Sequence, residues 1–189
     1  MKTYLDLSSL SLLVADDSRF MRRLVVSILR AFGVRQIEEV ATGEEAYKAI
    51  GTGKFDIVLL DWEFPDRSGE SVMRAIRKPG HPSAYQTVIM MSGHDELRRI
   101  ERALSFGVNG YLAKPVAPAT LYAQIRQTVL YPRPYLRTPH YFGPHYPSMS
   151  KEVPKAEAPP AEKAPPATVV PTKADDAAIF DLDDAALFE

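Results

Sequence analysis

The chain has 189 residues, no cysteine and a formal net charge of −1. The lack of cysteine excludes disulfide frameworks, thiol nucleophiles and Cys-ligated metals, and the nearly neutral charge argues against a general nucleic-acid binder. All apolar runs are far shorter than the roughly 20 residues of a membrane-spanning helix, and the first residues lack the charge pattern of a signal peptide. We therefore predict a cytoplasmic protein without membrane insertion.

Proline and glycine divide the chain near Leu130. Of the 16 prolines, 11 follow this residue, whereas nine of the ten glycines precede it. About 130 residues are enough for one domain with a sizeable core. We predict a folded domain over residues 9–130 and a proline-rich tail that is largely disordered. The tail comprises an aromatic extended arm (131–149), an Ala/Pro/Lys/Glu linker (150–174) and an acidic-hydrophobic repeat (175–189).

Within the domain, short apolar runs alternate with segments of helical periodicity. Strands are predicted at residues 10–15, 37–40, 55–60, 87–91 and 110–112. The first helix has Ser18 as its N-cap and ends at Gly33, and Thr42 with Glu45 forms a capping box that opens the second. The remaining helices are predicted at 68–78, 95–106 and 118–130. Five such units predict an α/β fold, a (βα)5 doubly wound parallel sheet.

Polar residues follow four of the predicted strands. They are Asp16 and Asp17, Asp61, Ser92, and Lys114. Ligands bind at the carboxyl ends of the strands in such sheets, and converging carboxylates favour a hard divalent cation, most simply Mg²⁺. A lysine and a hydroxyl beside them are suited to contact phosphoryl oxygens while an aspartate attacks phosphorus. Each residue alone is equally typical of a turn, a helix cap or a solvated surface.

Together these residues carry a resemblance to a known family. Over about residues 9 to 130 the sequence resembles the two-component response-regulator receiver domain, particularly the stand-alone chemotaxis type. The segments that match are 13–18 (LVADDS), 57–69 (IVLLDWEFPDRSG), 91–93 (MSG) and 111–115 (YLAKP). The resemblance implies the strand order 2-1-3-4-5.

The resemblance also implies residue roles. Asp61 would accept a phosphoryl group from a histidine kinase or a phosphotransfer protein, and Lys114 would contact that group. Mg²⁺ would be bound directly by Asp17 and mainly through water by Asp16, and Asp61 and the backbone carbonyl of Glu63 would also belong to the metal site. Ser92 and Tyr111 would form a coupled switch pair.

Two side chains depart from the common pattern of the family beside this site. Glu63 places a carboxylate two residues after Asp61, and His94 lies two residues after Ser92. By resemblance these positions flank the route of the hydrolytic water, so we expect them to tune the lifetime of the phosphoryl group. For His94, a place in the first turn of helix four is an equal alternative.

Two surfaces are candidates for partner binding. Phe20, among arginines at the start of helix one, is where a kinase or phosphotransfer protein would dock in this family. Helix four, strand five and helix five would bind an unknown target protein, and Arg98, Arg99 and Arg102 lie on that helix. The alternative for the arginines is a solvated helix face with intrahelical ion pairs.

The tail carries two further signals. The aromatic content of the arm is unusual for a linker, so we expect the arm to pack in extended form on the receiver or on a partner. Residues 175–181 and 183–189 repeat an acidic frame around Ile179-Phe180 and Leu187-Phe188. This repeat indicates a motif that a basic-rimmed groove of another protein would bind, although a simple solubilising terminus is the alternative.

The sequence therefore predicts a receiver in a phosphorelay that signals by protein contacts and binds no DNA. It is not an enzyme acting on a metabolite, since it catalyses only its own phosphorylation and dephosphorylation. The alternative is a constitutive adaptor that binds its partner through the tail. An intermediate that passes its phosphoryl group to another histidine is a lesser possibility, and a dehalogenase-like phosphatase is disfavoured because its Asp-x-Asp signature is missing.

Overall fold

The computed structural model describes residues 5–93 and 97–146. Five parallel strands form one sheet in the order β2-β1-β3-β4-β5. They are β1 (Ser11–Ala15), β2 (Gln36–Val40), β3 (Ile57–Asp61), β4 (Thr87–Ser92) and β5 (Gly110–Ala113). The predicted fold class and strand order are confirmed. The central strand β3 is buried along its whole length, as its continuous apolar sequence requires.

Five helices connect and cover the strands. They are α1 (Arg19–Ala31), α2 (Gly43–Gly51), α3 (Gly69–Ile76), α4 (Leu97–Ser105) and α5 (Pro118–Leu130). Ser18 caps α1 through a bond from the backbone N–H of Met21, and the capping box of Thr42 and Glu45 is formed at α2. In the described part of the chain, no helix is long and apolar enough to cross a membrane.

The sheet separates two apolar clusters. On one face β1, β3 and β4 pack against α1 and α5, and on the other face the same strands pack against α2, α3 and α4. Leu5 and Leu7, which precede the predicted start of the domain, are buried in the α1 and α5 cluster. The two layers of helices keep both faces of the sheet dry, so only its strand ends are open to ligands.

Residues after α5 form a second, antiparallel pair of strands, β6 (Tyr135–Arg137) and β7 (Phe142–Pro144). The arm, which was predicted to be extended, is thus a hairpin in this region, and it packs on the receiver. Tyr135 and Phe142 close around Tyr85, with ring centroids 5.0 and 5.2 Å from that ring. The hairpin lies at the end of the sheet opposite to Asp61, beside the loop that leads into β5.

A buried arginine lies under this hairpin. Arg77 is 6% exposed, and its guanidinium donates to the carbonyl oxygens of Gly107, Ala84 and Gln86 at 2.9, 2.6 and 2.8 Å. The ring of Tyr135 lies 5.5 Å from the guanidinium carbon. Carbonyl dipoles and an aromatic face thus stabilise the buried cation of Arg77. Helix α3 ends at Ile76, two residues earlier than predicted, and Arg77 is its C-cap.

Candidate functional site

The carboxyl end of β1 carries the first two acidic residues. Asp16 is fully buried, and its Oδ1 accepts a bond of 2.9 Å from the backbone N–H of Ser18, so the start of α1 orients it. Asp17 is exposed. Arg22, one turn into α1, donates to the backbone carbonyls of Asp16 and Asp17 at 2.6 and 3.2 Å. The loop between β1 and α1 is therefore held by the Asp16 side chain, through Ser18, and by the Arg22 side chain, through two backbone carbonyls.

Lys114 joins the ends of β1 and β3. Its Nζ lies 2.6 Å from Asp16 Oδ2 and 2.7 Å from Asp61 Oδ2, and Asp61 is only 3% exposed. The lysine follows β5 at a cis peptide bond to Pro115. One cation thus bridges two buried carboxylates that come from distant parts of the chain.

The surroundings set the protonation of this pair. Burial raises the pKa of Asp61 to about 6, although the hydrogen bond and charge of Lys114 act to lower it. Burial alone would lower the pKa of Lys114, but its bonds to Asp16 and Asp61 outweigh burial and raise that pKa. At neutral pH the carboxylate of Asp61 is therefore mostly anionic and lies beside a cationic lysine.

Three carboxylates meet at this point. One oxygen from each of Asp16, Asp17 and Asp61 can be chosen so that all lie within 4.8 Å of one another. Oδ2 of Asp16 is buried, and its partner among the described residues is Lys114. A donor set made only of carboxylate oxygens, two of them buried, fits a hard divalent cation such as Mg²⁺.

Ser92 and Lys114 are placed side by side by the sheet. Ser92, at the end of β4, is fully buried, and its carbonyl accepts a 2.7 Å bond from the backbone N–H of Lys114. Tyr111 lies opposite Met90 in the same strand pair and packs, partly buried, against the cluster that includes α4. The sheet register thus brings the predicted switch serine to the site, while the predicted switch tyrosine lies on β5 two residues before Ala113, the register partner of Ser92.

The loop after β3 contains residues that the sequence analysis did not single out. Asp66 accepts bonds of 3.0 Å from the backbone N–H groups of Gly43 and Glu44, and so caps α2 from a distant loop. Gly69 lies so close to the end of β3 that a Cβ there would be 2.1 Å from the carbonyl oxygen of Asp61. Asp66 and Gly69 stand in a Pro-Asp-x-x-Gly segment that is visible in the sequence. Their structural roles, however, depend on contacts between separate elements.

Two arginines of α4 form ion pairs with residues of other elements. Arg102 lies 2.8 Å from Glu70 of α3, and Arg99 lies 3.8 Å from Glu63 in the loop after Asp61. Both ion pairs reach outside α4, because α3 and the β3–α3 loop lie within reach of this helix.

The remaining predicted positions are not brought into the site by described contacts. Phe20 is 74% exposed on the first turn of α1, close in sequence to the acid pair. His94 and the motif residues Ile179, Phe180, Leu187 and Phe188 lie outside the described residues. Their roles stay predictions.

The fold and this cluster define a class of protein. The chain belongs to the response regulator receiver domain family, which residues 12–126 match. The hairpin lies C-terminal to the matched residues.

Relatives support the chemotaxis type of receiver. The chain is 33% identical over 113 residues to the chemotaxis protein CheY-3 of Vibrio cholerae, an alignment that covers 60% of this chain and 86% of that protein. It is 30% identical over 118 residues to the chemotaxis protein CheY of Pseudomonas aeruginosa, covering 62% of this chain and 94% of that protein.

A solved structure shows the same fold. It is the receiver domain of a sensor histidine kinase from Pseudomonas aeruginosa PAO1, with a magnesium ion coordinated in its active-site cleft. The TM-score is 0.57 at 26% identity, and the match covers 63% of this chain and 96% of that one. The described fold is thus similar to a receiver that binds magnesium.

Proposed function

We propose that this receiver accepts a phosphoryl group on Asp61 in a Mg²⁺-dependent reaction, with a histidine kinase or phosphotransfer protein as the donor. The observation that carries the proposal is the Lys114 bridge between Asp16 and Asp61 beside the exposed carboxylate of Asp17. The site needs no further catalytic group from the partner, because nucleophile and cation are already together. We also propose that the protein is cytoplasmic, as expected from the sequence.

The reaction is an in-line transfer. An Oδ of Asp61 forms a bond to phosphorus while the bond from phosphorus to the donor nitrogen of phosphohistidine breaks, and the leaving imidazole keeps that electron pair and takes up a proton. Lys114 then contacts a phosphoryl oxygen in place of part of its contact with Asp61, and the hydroxyl of Ser92 donates a hydrogen bond to another phosphoryl oxygen. Later attack of water on phosphorus releases inorganic phosphate and restores the carboxylate.

The residues for the metal are Asp16, Asp17 and Asp61, together with the backbone carbonyl of Glu63. When bound, Mg²⁺ neutralises charge on the carboxylates and on the transferred group. In the part of the chain that the structure describes, Lys114 is the cation paired with Asp16 and Asp61, so the lysine has to share these two carboxylates with the metal. The hydrogen bond from Ser18 to Asp16 keeps that carboxylate oriented during the exchange.

Output is proposed to be a population shift of the surface of α4, β5 and α5, coupled through Ser92 and Tyr111. Ser92 is buried at the reacting end of β4, and Tyr111 lies on the neighbouring strand against the α4 cluster. If the hydroxyl of Ser92 turns toward the phosphoryl group, the surface against which Tyr111 packs changes. Glu63 and His94 remain the proposed determinants of phosphoryl lifetime.

The test is intact mass after incubation with Mg²⁺ and acetyl phosphate. We expect one phosphoryl adduct that requires Mg²⁺ and is absent in Asp61→Asn. The matched control is Asp56→Asn, the same change just before the other end of β3, where the side chain accepts bonds from Ser11. Persistence of the adduct in Asp61→Asn, or its loss in both folded variants, overturns the assignment of Asp61.

The alternative, a constitutive adaptor acting through its tail, is not favoured. The family match falls on residues 12–126, which include the whole carboxylate cluster. To separate the two functions, the tail is removed after residue 146, since a cut at Leu130 would also remove the hairpin that covers Tyr85. A phosphorylation-driven receiver keeps its switched binding in this shortened chain, whereas an adaptor loses all partner binding.

A further inference from the structure

One side chain of α1 holds the backbone on both sides of Asp17. Nη1 of Arg22 donates to the carbonyl oxygens of Asp16 and Asp17 at 2.6 and 3.2 Å. These two carbonyls belong to the peptide groups that precede and follow Asp17, and each peptide group is a rigid plane. A single guanidinium therefore determines how the exposed acidic residue of the proposed metal site is presented.

The guanidinium of Arg22 is itself held in place. Its Nε lies 3.7 Å from Oε2 of Glu39 on the edge strand β2, and the side chain of Arg22 is only 16% exposed. The backbone N–H of Asp16 donates at 3.3 Å to the carbonyl of Val40, the next residue of β2. A planar guanidinium that contacts partners on separate elements has a defined orientation. Strand β2 and helix α1 thus hold the same loop together.

The three carboxylates of the site are held in different ways. Asp16 and Asp61 are buried and lie 2.6 and 2.7 Å from Nζ of Lys114. Asp17 is exposed, so burial does not fix its side chain and its place depends on its backbone. A ligand whose backbone is already placed loses less conformational freedom when a cation binds. The bonds from Arg22 therefore affect Asp17 most directly.

We infer that Arg22 is a positioning residue for Mg²⁺, which holds the backbone of Asp17 so that its carboxylate lies beside Asp16 and Asp61 before the metal binds. The inference rests on the proposed function, from which it takes these three carboxylates as the metal site. It predicts a change opposite in sign to simple electrostatics. Removing a cation near the site should strengthen Mg²⁺ binding by Coulomb's law, whereas loss of a positioned ligand should weaken it.

The primary test is calorimetric titration of the full chain and its variants with Mg²⁺ alone. For Arg22→Ala we expect the dissociation constant to rise about tenfold, the lower end of the effect usual for residues that orient metal ligands. The matched control is Arg23→Ala, which removes the same charge from the next, exposed position of α1. Its dissociation constant should stay within about twofold of the wild-type value, as expected for an exposed charge.

The Arg22→Ala variant is expected to fold, because the arginine borders open space. Arg22, Glu39 and Lys48 line a groove of about 590 Å³ along β2 and α2. Water can enter this groove and donate to the carbonyls of Asp16 and Asp17 in place of the guanidinium. Urea unfolding without Mg²⁺ checks that both alanine variants are folded.

Three readouts separate positioning from general damage. The Mg²⁺ concentration for half-maximal phosphorylation by acetyl phosphate should rise about tenfold in Arg22→Ala, while the rate at saturating Mg²⁺ stays within about twofold of the wild-type rate. Arg22→Lys keeps the charge without the planar fork and should regain part of the affinity. Without metal, the amide of Ser18, which is bonded to Asp16, should exchange its hydrogen faster in Arg22→Ala than in Arg23→Ala.

The outcomes are distinguishable. If the wild-type protein binds no Mg²⁺, the proposed function and the role of Arg22 both fail. If it binds Mg²⁺ but takes up no phosphoryl group on Asp61, the proposed function fails, and calorimetry still decides the role of Arg22. Unchanged or tighter Mg²⁺ binding in Arg22→Ala, an equal loss in Arg23→Ala, or a much lower rate at saturating Mg²⁺ overturns the positioning role alone.

Discussion

Gly107 and Gly143 meet backbone to backbone. A Cβ on Gly143 would lie 2.5 Å from the Cα of Gly107, and a Cβ on Gly107 would lie 2.5 Å from the carbonyl oxygen of Phe142. The first glycine belongs to the loop between α4 and β5 and has a positive φ of 79°, and the second belongs to β7. This contact attaches the hairpin to the receiver and requires glycine on both sides.

Substitution at this contact should loosen the hairpin. Gly143→Ala is expected to lower the free energy of unfolding by about 1–3 kcal/mol, since the new methyl group meets backbone and the side chain of Tyr141 at 2.8 Å. Urea unfolding measures the change. Gly51→Ala, at the end of α2 with open space around its Cβ, is the control and should be neutral or slightly stabilising. Equal destabilisation of both variants would contradict the contact.

Shortening the chain should show where the folded unit ends. A chain that ends at residue 146 is expected to keep the unfolding midpoint of the full protein. One that ends at Leu130 should lose about 2–5 kcal/mol, because Tyr85 and Arg77 lose the cover of Tyr135 and Phe142. Thermal unfolding of the two chains is the measurement. Identical midpoints would mean that the hairpin contributes nothing to the fold.

Removal of Lys114 should separate metal binding from phosphorylation. In Lys114→Met the carboxylates of Asp16 and Asp61 lose their cation, so Mg²⁺ should bind at least severalfold more tightly. Phosphorylation by acetyl phosphate should slow by about 100-fold, as for removal of an oxyanion donor. Calorimetry and phosphorylation rates test this, with the exposed Lys78→Met as control. Weaker Mg²⁺ binding in a folded Lys114→Met protein would refute it.

The raised pKa of Asp61 predicts a pH-dependent stability in the absence of metal. Burial moves this pKa from 3.8 to about 6, so the folded state binds the proton more tightly than the unfolded state. The resulting stabilisation is complete below about pH 3.8 and is lost as pH rises through about 6. Asp61→Asn keeps a neutral side chain at every pH and should exceed the wild-type stability above pH 6 by on the order of 1–3 kcal/mol.

Urea unfolding of both proteins between pH 4 and pH 8 is the measurement for this effect. The difference should vanish toward pH 4, and saturating Mg²⁺ should reduce it at pH 8 by stabilising the protein with the carboxylate more than the Asp61→Asn variant. A difference that does not vary with pH would show that burial does not destabilise the charged form of Asp61.

Local patterns in the sequence were sufficient for the elements and for the convergence of polar side chains at the strand ends. The caps at Ser18 and Thr42 depend on residues three positions apart, and a fully apolar run such as β3 is readable as a buried strand. Because parallel strands present their carboxyl ends at one edge, Asp16, Asp17, Asp61, Ser92 and Lys114 could be expected together before any coordinates. The resemblance then added the strand order.

The tertiary structure alone decided the contacts between distant elements. The bridge of Lys114 to two carboxylates, the pairing of Arg99 with Glu63 and the burial of Arg77 under the hairpin each join residues that no local period relates. Local propensity depends on neighbours along the chain, whereas these contacts depend on how helices and loops pack across the sheet. That is why the sequence alone determined which polar residues end the strands, while packing decided their ion pairs and where the arm lies.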